Sequence, residues 1–499
     1  MVKNDNIYYK ECESEKLHLI GGIQTGGCLM AGDNETDTIH YVSKNISDCL
    51  DTDQTSLLGK NLSSLYPELF SKLSRGTETR KIILGAIKIN SVVYDAVYSR
   101  REVGWILELF PANEQANADY EKFHFYQKKL YELANHFSNQ QQLNETLLSA
   151  IYELSGFDHI MIYHFFEDDS GEVIAEKNHG VLDNYLGLRF PASDIPQSAR
   201  RLYQLNPYRS IPDISSPLIE ISHDSAYPPL DLTYSDLRAT SPVHLQYLQN
   251  MGVKASLSFP IIFKGELYGM VACHAANPTD IYLNTKEICS ALVNIYATAI
   301  KYYQIQEQLQ IFESLENFTD IYRKFLLNHN EKETSISETA YKLIEILQAS
   351  SLLYFDGKNL SSFGQIPDDK SISVIRKWIN AIDEVDVFHT DKLPGYFPDA
   401  NFNAEQASGL LLVRFHDFNL NSRWIAWLRP ELPSIINWAG NPKKPFSTVE
   451  KETNIKIQPR ESFKRWQIKM KEISAPWTKV DTLIANRLHN LGVNFLKTQ

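Results

Sequence analysis

Cysteine is scarce in this chain and follows no metal or disulfide spacing: Cys12, Cys28, Cys49, Cys273 and Cys289 are the only five in 499 residues. An odd number, widely scattered and without a CxxC pair, excludes a disulfide framework and a thiolate zinc centre. Long apolar runs are also missing, as is a signal-peptide core, so the expected location is the cytoplasm, with no membrane partner. Bases are outnumbered, 49 against 61 acids for a net charge of −12, which argues against a general nucleic-acid surface. There is no P-loop, no kinase phosphoacceptor with an ATP lid, no cyclase loop and no nucleophile elbow. The chain is therefore expected not to be an enzyme in itself.

What is present belongs to a soluble globular protein: 43% hydrophobic and 22% charged residues, with length for roughly three domains. Aromatics reach 11%, with 26 tyrosines, which fits large cores or a planar ligand. Cys28, Cys273 and Cys289 sit among apolar neighbours and read as core thiols. Cys12 stands between Glu11 and Glu13 in a polar tail, where neighbouring acids disfavour a thiolate. Its local sequence alone suggests an incidental exposed cysteine.

Along the chain, strands are predicted at 39–42, 81–89, 92–99 and 104–110, with a more helical stretch at 47–69. A polar joint at 112–117 precedes an amphipathic helix over 119–137. A second α/β unit opens with strands 159–166 and 172–175 around the turn 168–171. Residues 206–232 are proline-rich and poorly periodic. A short helix follows between Ser241-Pro242 and Gly252, carrying His244 and Tyr247 on one face. A hairpin, 255–263 and 266–274, turns at Lys264-Gly265; its Ser256 and Ser258 face one way, to solvent or to a pocket. Asn284–Glu287 has the form of a capping box. No glycine or proline follows until Gly357, so one helix over 285–327 is preferred to two; it would span about 65 Å. The last unit has helices at 335–348 and 372–381 and strands at 351–355, 409–416 and 423–429. Residues 430–476 are weakly periodic and too long for an ordinary connection, which marks them as functional. A final amphipathic helix is predicted over 476–497.

Residues 190–203 hold the most informative local pattern. Two prolines flank Asp194, Ile195 is pushed towards extended backbone by Pro196, and a helix with Arg200, Arg201 and Tyr203 follows. Alone, an acid in that place is most often a helix cap.

Four stretches in this order resemble the photosensory core of bacterial phytochromes: Cys12 with Gly22–Gln24, then 190–203, 238–253 and 459–463. The resemblance covers essentially the whole chain. It implies an α+β multidomain fold of three tandem PAS-like domains, antiparallel sheets with flanking helices, joined by a long helix. These are a tail and PAS domain over 1–117, a GAF domain over 118–304 and a PHY domain over 305–499 with a tongue at about 430–476. It implies a red/far-red photoreceptor binding the linear tetrapyrrole biliverdin IX-alpha, attached through a thioether to Cys12. Val243 closes the alternative GAF attachment route. Arg209 and Arg238 match the propionate-binding arginines, suited by their forked guanidinium. Ser241, His244, Ser256 and Ser258 match groups around the other propionate and the central rings. His274 matches the histidine that bonds the outermost ring, and Tyr163, Phe190 and Tyr203 the cage around it; Ile195 and Tyr247 lie beside these. Asp194 matches the aspartate whose carbonyl meets the pyrrole N–H groups and whose carboxylate meets the tongue. There Arg460 would pair with it in one state and Ser462 in the other, with Trp438 in the same tongue switch.

The resemblance further implies that the tail threads a GAF loop with Ile23 as plug, that the protein dimerises, and that an output domain or response regulator lies downstream. The end after Phe495 suggests a truncated chain. Departures are Thr25-Gly26 where Pro-His is usual, Ala275 where a second histidine is common, and no glycine in 454–458. A chemical-ligand sensor of the same fold, without photochemistry, is the competing expectation.

Overall fold

The computed structural model describes residues 15–73, 79–89, 92–102, 104–112, 116–135, 140–327, 333–382, 385–397, 402–416, 422–442, 446–451 and 454–496. Cys12 and the expected helix ends at 136–137 and 497 lie outside the described residues. The chain divides into two compact units, Met1–Tyr303 with Asn437–Trp466, and Gln304–Ile436 with Gln467–Gln499.

The first unit holds two large, mainly antiparallel sheets and a two-stranded one. One runs in the order Gly22–Ile23, Ile219–His223, Ile39–Ser43, Cys28–Asp33, Gly104–Pro111, Val92–Arg100, Arg80–Ile89. Along Cys28–Asp33 the side chains alternate between two buried layers. Cys28 and Met30 pack with Leu50, Leu57, Leu62 and Leu69, one from each of the four short helices that make up the helical stretch expected at 47–69. Leu29 and Ala31 face Tyr126 and Leu130 of helix Ala116–Asn135 and Leu147 and Ile151 of helix Gln140–Ser155. Burial on both faces removes the apolar–polar alternation by which a strand announces itself, so this strand is not among those predicted.

The second sheet has Arg209–Ile211, Ala255–Phe263, Glu266–Ala275, His159–Phe165, Gly171–Asn178 and Arg189–Phe190 in that order. Lys264 and Gly265 both have positive φ, 49° and 84°, the conformation a two-residue hairpin turn requires. Leu257, Phe259 and Ile261 point into the core shared with the helices, so Ser256 and Ser258 point the other way. Trp438 pairs in parallel with Arg189, extending this sheet with the segment read as a tongue. That segment is not irregular, as its weak periodicity suggested. Phe446–Lys451 pairs antiparallel with Asn454–Pro459 in a hairpin.

Gly22–Ile23 is clasped on both edges. One edge pairs with Ile219 and Glu220; on the other, Gln24 N donates to Leu237 O at 2.8 Å and Ala239 N to Gly22 O at 3.1 Å. Ile23 is fully buried between them. The first limb belongs to the 206–232 stretch that reads as poorly periodic, and the second lies just beyond it at 237–239.

Leu283–Leu327 is one helix, as preferred from the absence of breakers. Its start is not the expected capping box, because Asn284 lies inside the helix and Glu287 is engaged by Arg80 instead. In the second unit a five-stranded sheet runs Leu360–Gly364, Ser351–Phe355, Ser422–Arg429, Gly409–His416, Val387–Thr390. Helices Glu333–Ile346 and Lys479–Leu496 cover the face with Leu352, Leu411, Val413 and Trp427. Helix Asp369–Ala381 covers the face with Leu353, Leu412 and Trp424. Among the described residues no helix is long and apolar enough to cross a membrane.

Candidate functional site

Opposite the core, the second sheet of the first unit floors a cleft. Register pairs Ser256 with His274, Ser258 with Ala272, Ala272 with Met161, and Met270 with Tyr163, so these side chains share one face. Helix Gln197–Leu205 supplies Leu202 and Tyr203, helix Pro242–Asn250 supplies Val243, His244, Tyr247 and Leu248, and the corner supplies Phe190, Asp194 and Ile195. Arg209, Arg238, Ser241, Glu15 and Pro459 complete the lining, around about 1650 Å³ of empty space counted to its open mouth. The expected site residues converge here, apart from Cys12, which is not described, and the tongue residues Trp438, Arg460 and Ser462. The open question over Ser256 and Ser258 is answered by the cleft, and Tyr203 Oη donates to Ser258 Oγ at 3.3 Å.

Two guanidiniums stand in this wall without a carboxylate partner in the described contacts. Arg209 donates from Nη2 to Thr240 Oγ1 at 2.8 Å, while its buried Nη1 has no hydrogen bond. Among the described contacts Arg238 reaches the carbonyls of Leu232 and Thr233, at 3.3 and 3.2 Å. Burial and the nearby Arg238 draw Arg209 down to about 9. A buried cation with a free donor is costly unless an anion meets it, so this wall suits carboxylates on a largely apolar ligand. Burial and Arg209 hold His244 down at about 4. Burial, His159 and His244 hold His274 at about 3, and its Nδ1 is also unbonded. Both rings are neutral at pH 7 and able to accept or donate one hydrogen bond.

Asp194 does not cap the following helix. That helix starts at Gln197 with Pro196 as its N-cap residue and no side-chain cap. The Asp194 carboxylate instead accepts from Tyr247 Oη at 2.8 Å and from Arg460 Nη2. Arg460 also donates to Ala439 O, and its guanidinium lies 5.4 Å from the ring centre of Phe190 and 4.9 Å from that of Phe463. Burial draws Arg460 down to about 10, which leaves it cationic at neutral pH. Phe463 packs edge-on against Tyr247 at 5.0 Å. Ser462 is exposed and takes no part in this contact; Trp438 lies under Arg189, 5.5 Å from its guanidinium.

Met161, Met270, Tyr208 and Glu15 also line the cleft and are not among the residues expected from the sequence. Strand alternation from Tyr163 and His274 would have found the methionines, and Tyr208 is next to Arg209. Nothing in the sequence signals Glu15, whose carboxylate accepts from Ser241 Oγ at 3.0 Å.

Families match the chain in three consecutive blocks: the PAS fold at residues 12–112, the GAF domain at 139–300 and the phytochrome region at 320–499. Cyanobacterial phytochrome A of Nostoc sp. is 30% identical across 100% of this chain and 66% of its own length. The chain belongs to the phytochrome family. A bacteriophytochrome of Pseudomonas aeruginosa is 28% identical over 96% of this phytochrome chain and 65% of its own. The chain thus spans about two thirds of the length of these curated relatives. Among solved structures, a bacteriophytochrome from R. palustris matches with TM-score 0.81 and 26% identity over 98% of this chain and 99% of the other. The Stigmatella aurantiaca phytochrome photosensory core module matches with TM-score 0.80 and 26% identity over 98% of both. The phytochrome's architecture is the PAS-GAF-PHY arrangement of these neighbours, and none of the three matched families is a catalytic domain.

Titration of the ligand-free phytochrome has two limbs. His244 and His274 are held below the ordinary imidazole value of 6.5, so the stability tied to keeping them neutral is lost as pH falls from 6.5 through about 4. Glu108, wholly buried and pushed up to about 7 by burial and Asp236, behaves oppositely. Its contribution is complete below 4.5 and is lost as pH rises from there through about 7. Between pH 4.5 and 7 the Glu108 limb opposes that of the histidines, so the urea midpoint should rise with pH more steeply in Glu108→Gln than in the parent chain; an unchanged slope in that variant would refute the assignment.

Proposed function

We propose that this phytochrome chain is a red/far-red photoreceptor module that binds biliverdin IX-alpha covalently through Cys12. The observation carrying the reading is the Arg209–Arg238 pair, buried in a cleft with an unbonded Nη1 and facing apolar walls. A linear tetrapyrrole supplies two carboxylates, a row of N–H donors and a double bond that isomerises in light. On this reading Arg209 and Arg238 hold one propionate, and Ser241, His244, Ser256 and Ser258 serve the other and the central rings. His274 bonds the outer ring, while Tyr163, Phe190 and Tyr203 restrict its rotation. Asp194 offers its carbonyl to the cleft and its carboxylate to Arg460.

In the proposed switch the tongue exchanges Arg460 for Ser462 at Asp194, giving the two arrangements that any switch requires. The change passes along the long helix and the terminal helix of a homodimer to an output domain or response regulator. The proposed domains are 1–117, 118–304 and 305–499, acting in the cytoplasm. Two features support the route to Cys12: Val243 stands in the cleft wall where a GAF cysteine would otherwise serve, and Glu15, three residues after Cys12, lines the same cleft.

Co-expression with heme oxygenase tests this directly. The expected product is green, changes its absorbance spectrum under red light, and keeps zinc-induced bilin fluorescence after denaturation. Cys12→Ser should lose that fluorescence in the denatured state while still binding pigment. A colourless product would instead favour a chemical-ligand sensor, and pigment lost from the parent chain on denaturation would refute the linkage.

A further inference from the structure

One arginine outside the cleft holds both segments that carry the cleft guanidiniums. Arg80, in the Arg80–Ile89 strand of the first sheet, donates from Nη2 to Asp236 Oδ2 at 2.7 Å and to Tyr208 Oη at 3.0 Å. Tyr208 Oη itself donates to Asp236 Oδ2 at 2.6 Å, which closes a triangle. The other terminal nitrogen, Nη1, donates to Glu287 Oε1 at 2.9 Å on the long helix. Tyr208 and Asp236 are buried, at 3% and 8% exposure, so this is an ion pair with little water to screen it. Tyr208 immediately precedes Arg209, and Asp236 stands two residues before Arg238.

The arrangement answers a physical difficulty. Arg209 and Arg238 are near enough to repel, and neither makes a described ion pair with a carboxylate, although Asp236 and Glu108 attract Arg209 from further away. Left to themselves, their two segments would spread. Residues 208–209 are anchored on one side by the pairing of Arg209 with Ser258. Residues 235–237 are anchored by Glu108, which accepts from Ser235 Oγ, Asp236 N and Leu237 N at 2.6, 3.0 and 2.9 Å. The Arg80 triangle ties the one segment to the other through buried side chains, beside the bonds from Arg209 Nη2 to Thr240 Oγ1 and from Asn206 Nδ2 to Thr233 O.

We propose that Arg80 is a positioning residue for the anion-binding wall of the cleft: through Tyr208 and Asp236 it sets the separation of Arg209 and Arg238. The first sheet thereby contributes to recognition of the ligand's carboxylates without touching the ligand. This rests on the reading that the cleft takes a bilin with two free propionates.

The test uses the whole chain with Cys12→Ser, so that binding is reversible, and two probes, biliverdin and its dimethyl ester, titrated by absorbance. Arg80→Met should weaken biliverdin about tenfold while changing the ester by less than about twofold. Tyr208→Phe, which keeps the Arg80–Asp236 pair, should give a smaller loss with the same preference for the free acid. Equal weakening of both probes by both variants would mark a general structural role and overturn the proposal, as would unchanged affinity for the free acid. If the Cys12→Ser chain itself binds neither probe, the bilin reading fails and this inference falls with it.

Discussion

Asp194→Ala should release the tongue from the cleft while leaving the pigment bound. The Asp194–Arg460 pair is almost wholly buried, with side-chain exposures of 5% and 4%. Removing one member of such a pair strands the other charge, which typically costs about 3–5 kcal/mol. Arg460 would keep only Ala439 O and its contacts with Phe190 and Phe463, and Tyr247 would lose its acceptor. Amide exchange at Gly440, whose N–H donates to Lys464 O, should accelerate on the order of a hundredfold. In the pigmented protein, colour should persist and formation of the far-red state should be impaired. Adding Arg460→Met removes the stranded charge and should restore much of the lost protection. If exchange at Gly440 is unchanged in the single variant, the pair does not hold the tongue; if the far-red state forms normally, Asp194 is not part of the switch.

Gly22→Val should be comparably damaging for a steric reason. A Cβ at position 22 would lie 2.7 Å from Leu218 Cγ and 2.8 Å from Ile219 O. Leu218 could turn aside, but Ile219 O is backbone held in the sheet, so the clasp itself must open. Forcing atoms into a packed site costs about 1–3 kcal/mol, and here two lines of hydrogen bonds lie on either side. The melting temperature should fall by about 5 °C, and the amides of Gln24 and Ala239 should lose exchange protection. Retained protection at those two amides would show that the clasp tolerates the side chain.

Legibility from the sequence followed the physics of each element. The hairpin at Ala255–Phe263 and Glu266–Ala275 was readable because one face is polar and the Lys264-Gly265 turn is distinctive. The long helix was readable from the absence of breakers. Cys28–Asp33 was not, because both faces are buried and no alternation survives. Ile219–His223 was hidden for the opposite reason: it is short and half-exposed, and it owes its strand state to partners almost two hundred residues away. The cleft residues came from the family resemblance and from neighbours in sequence. The Arg80 triangle had no local signal, since its members lie at positions 80, 208 and 236. Asp194 shows the limit of a local rule. An acid beside a helix start is usually a cap, but here a buried guanidinium competes for it more strongly than the exposed end of a short helix does.

The clasp around Ile23 also sets an order of events during synthesis. Gly22 and Ile23 leave the ribosome about 200 residues before both limbs that enclose them exist. At 5–20 residues per second that is a wait of about 10–40 seconds, during which a fully buried isoleucine has no home. The segment must then be overtaken by its own enclosure or drawn in afterwards. A folded cargo fused ahead of residue 15 would be tolerated in the first case and would obstruct the second, so maturation rates with and without such a cargo separate the two routes.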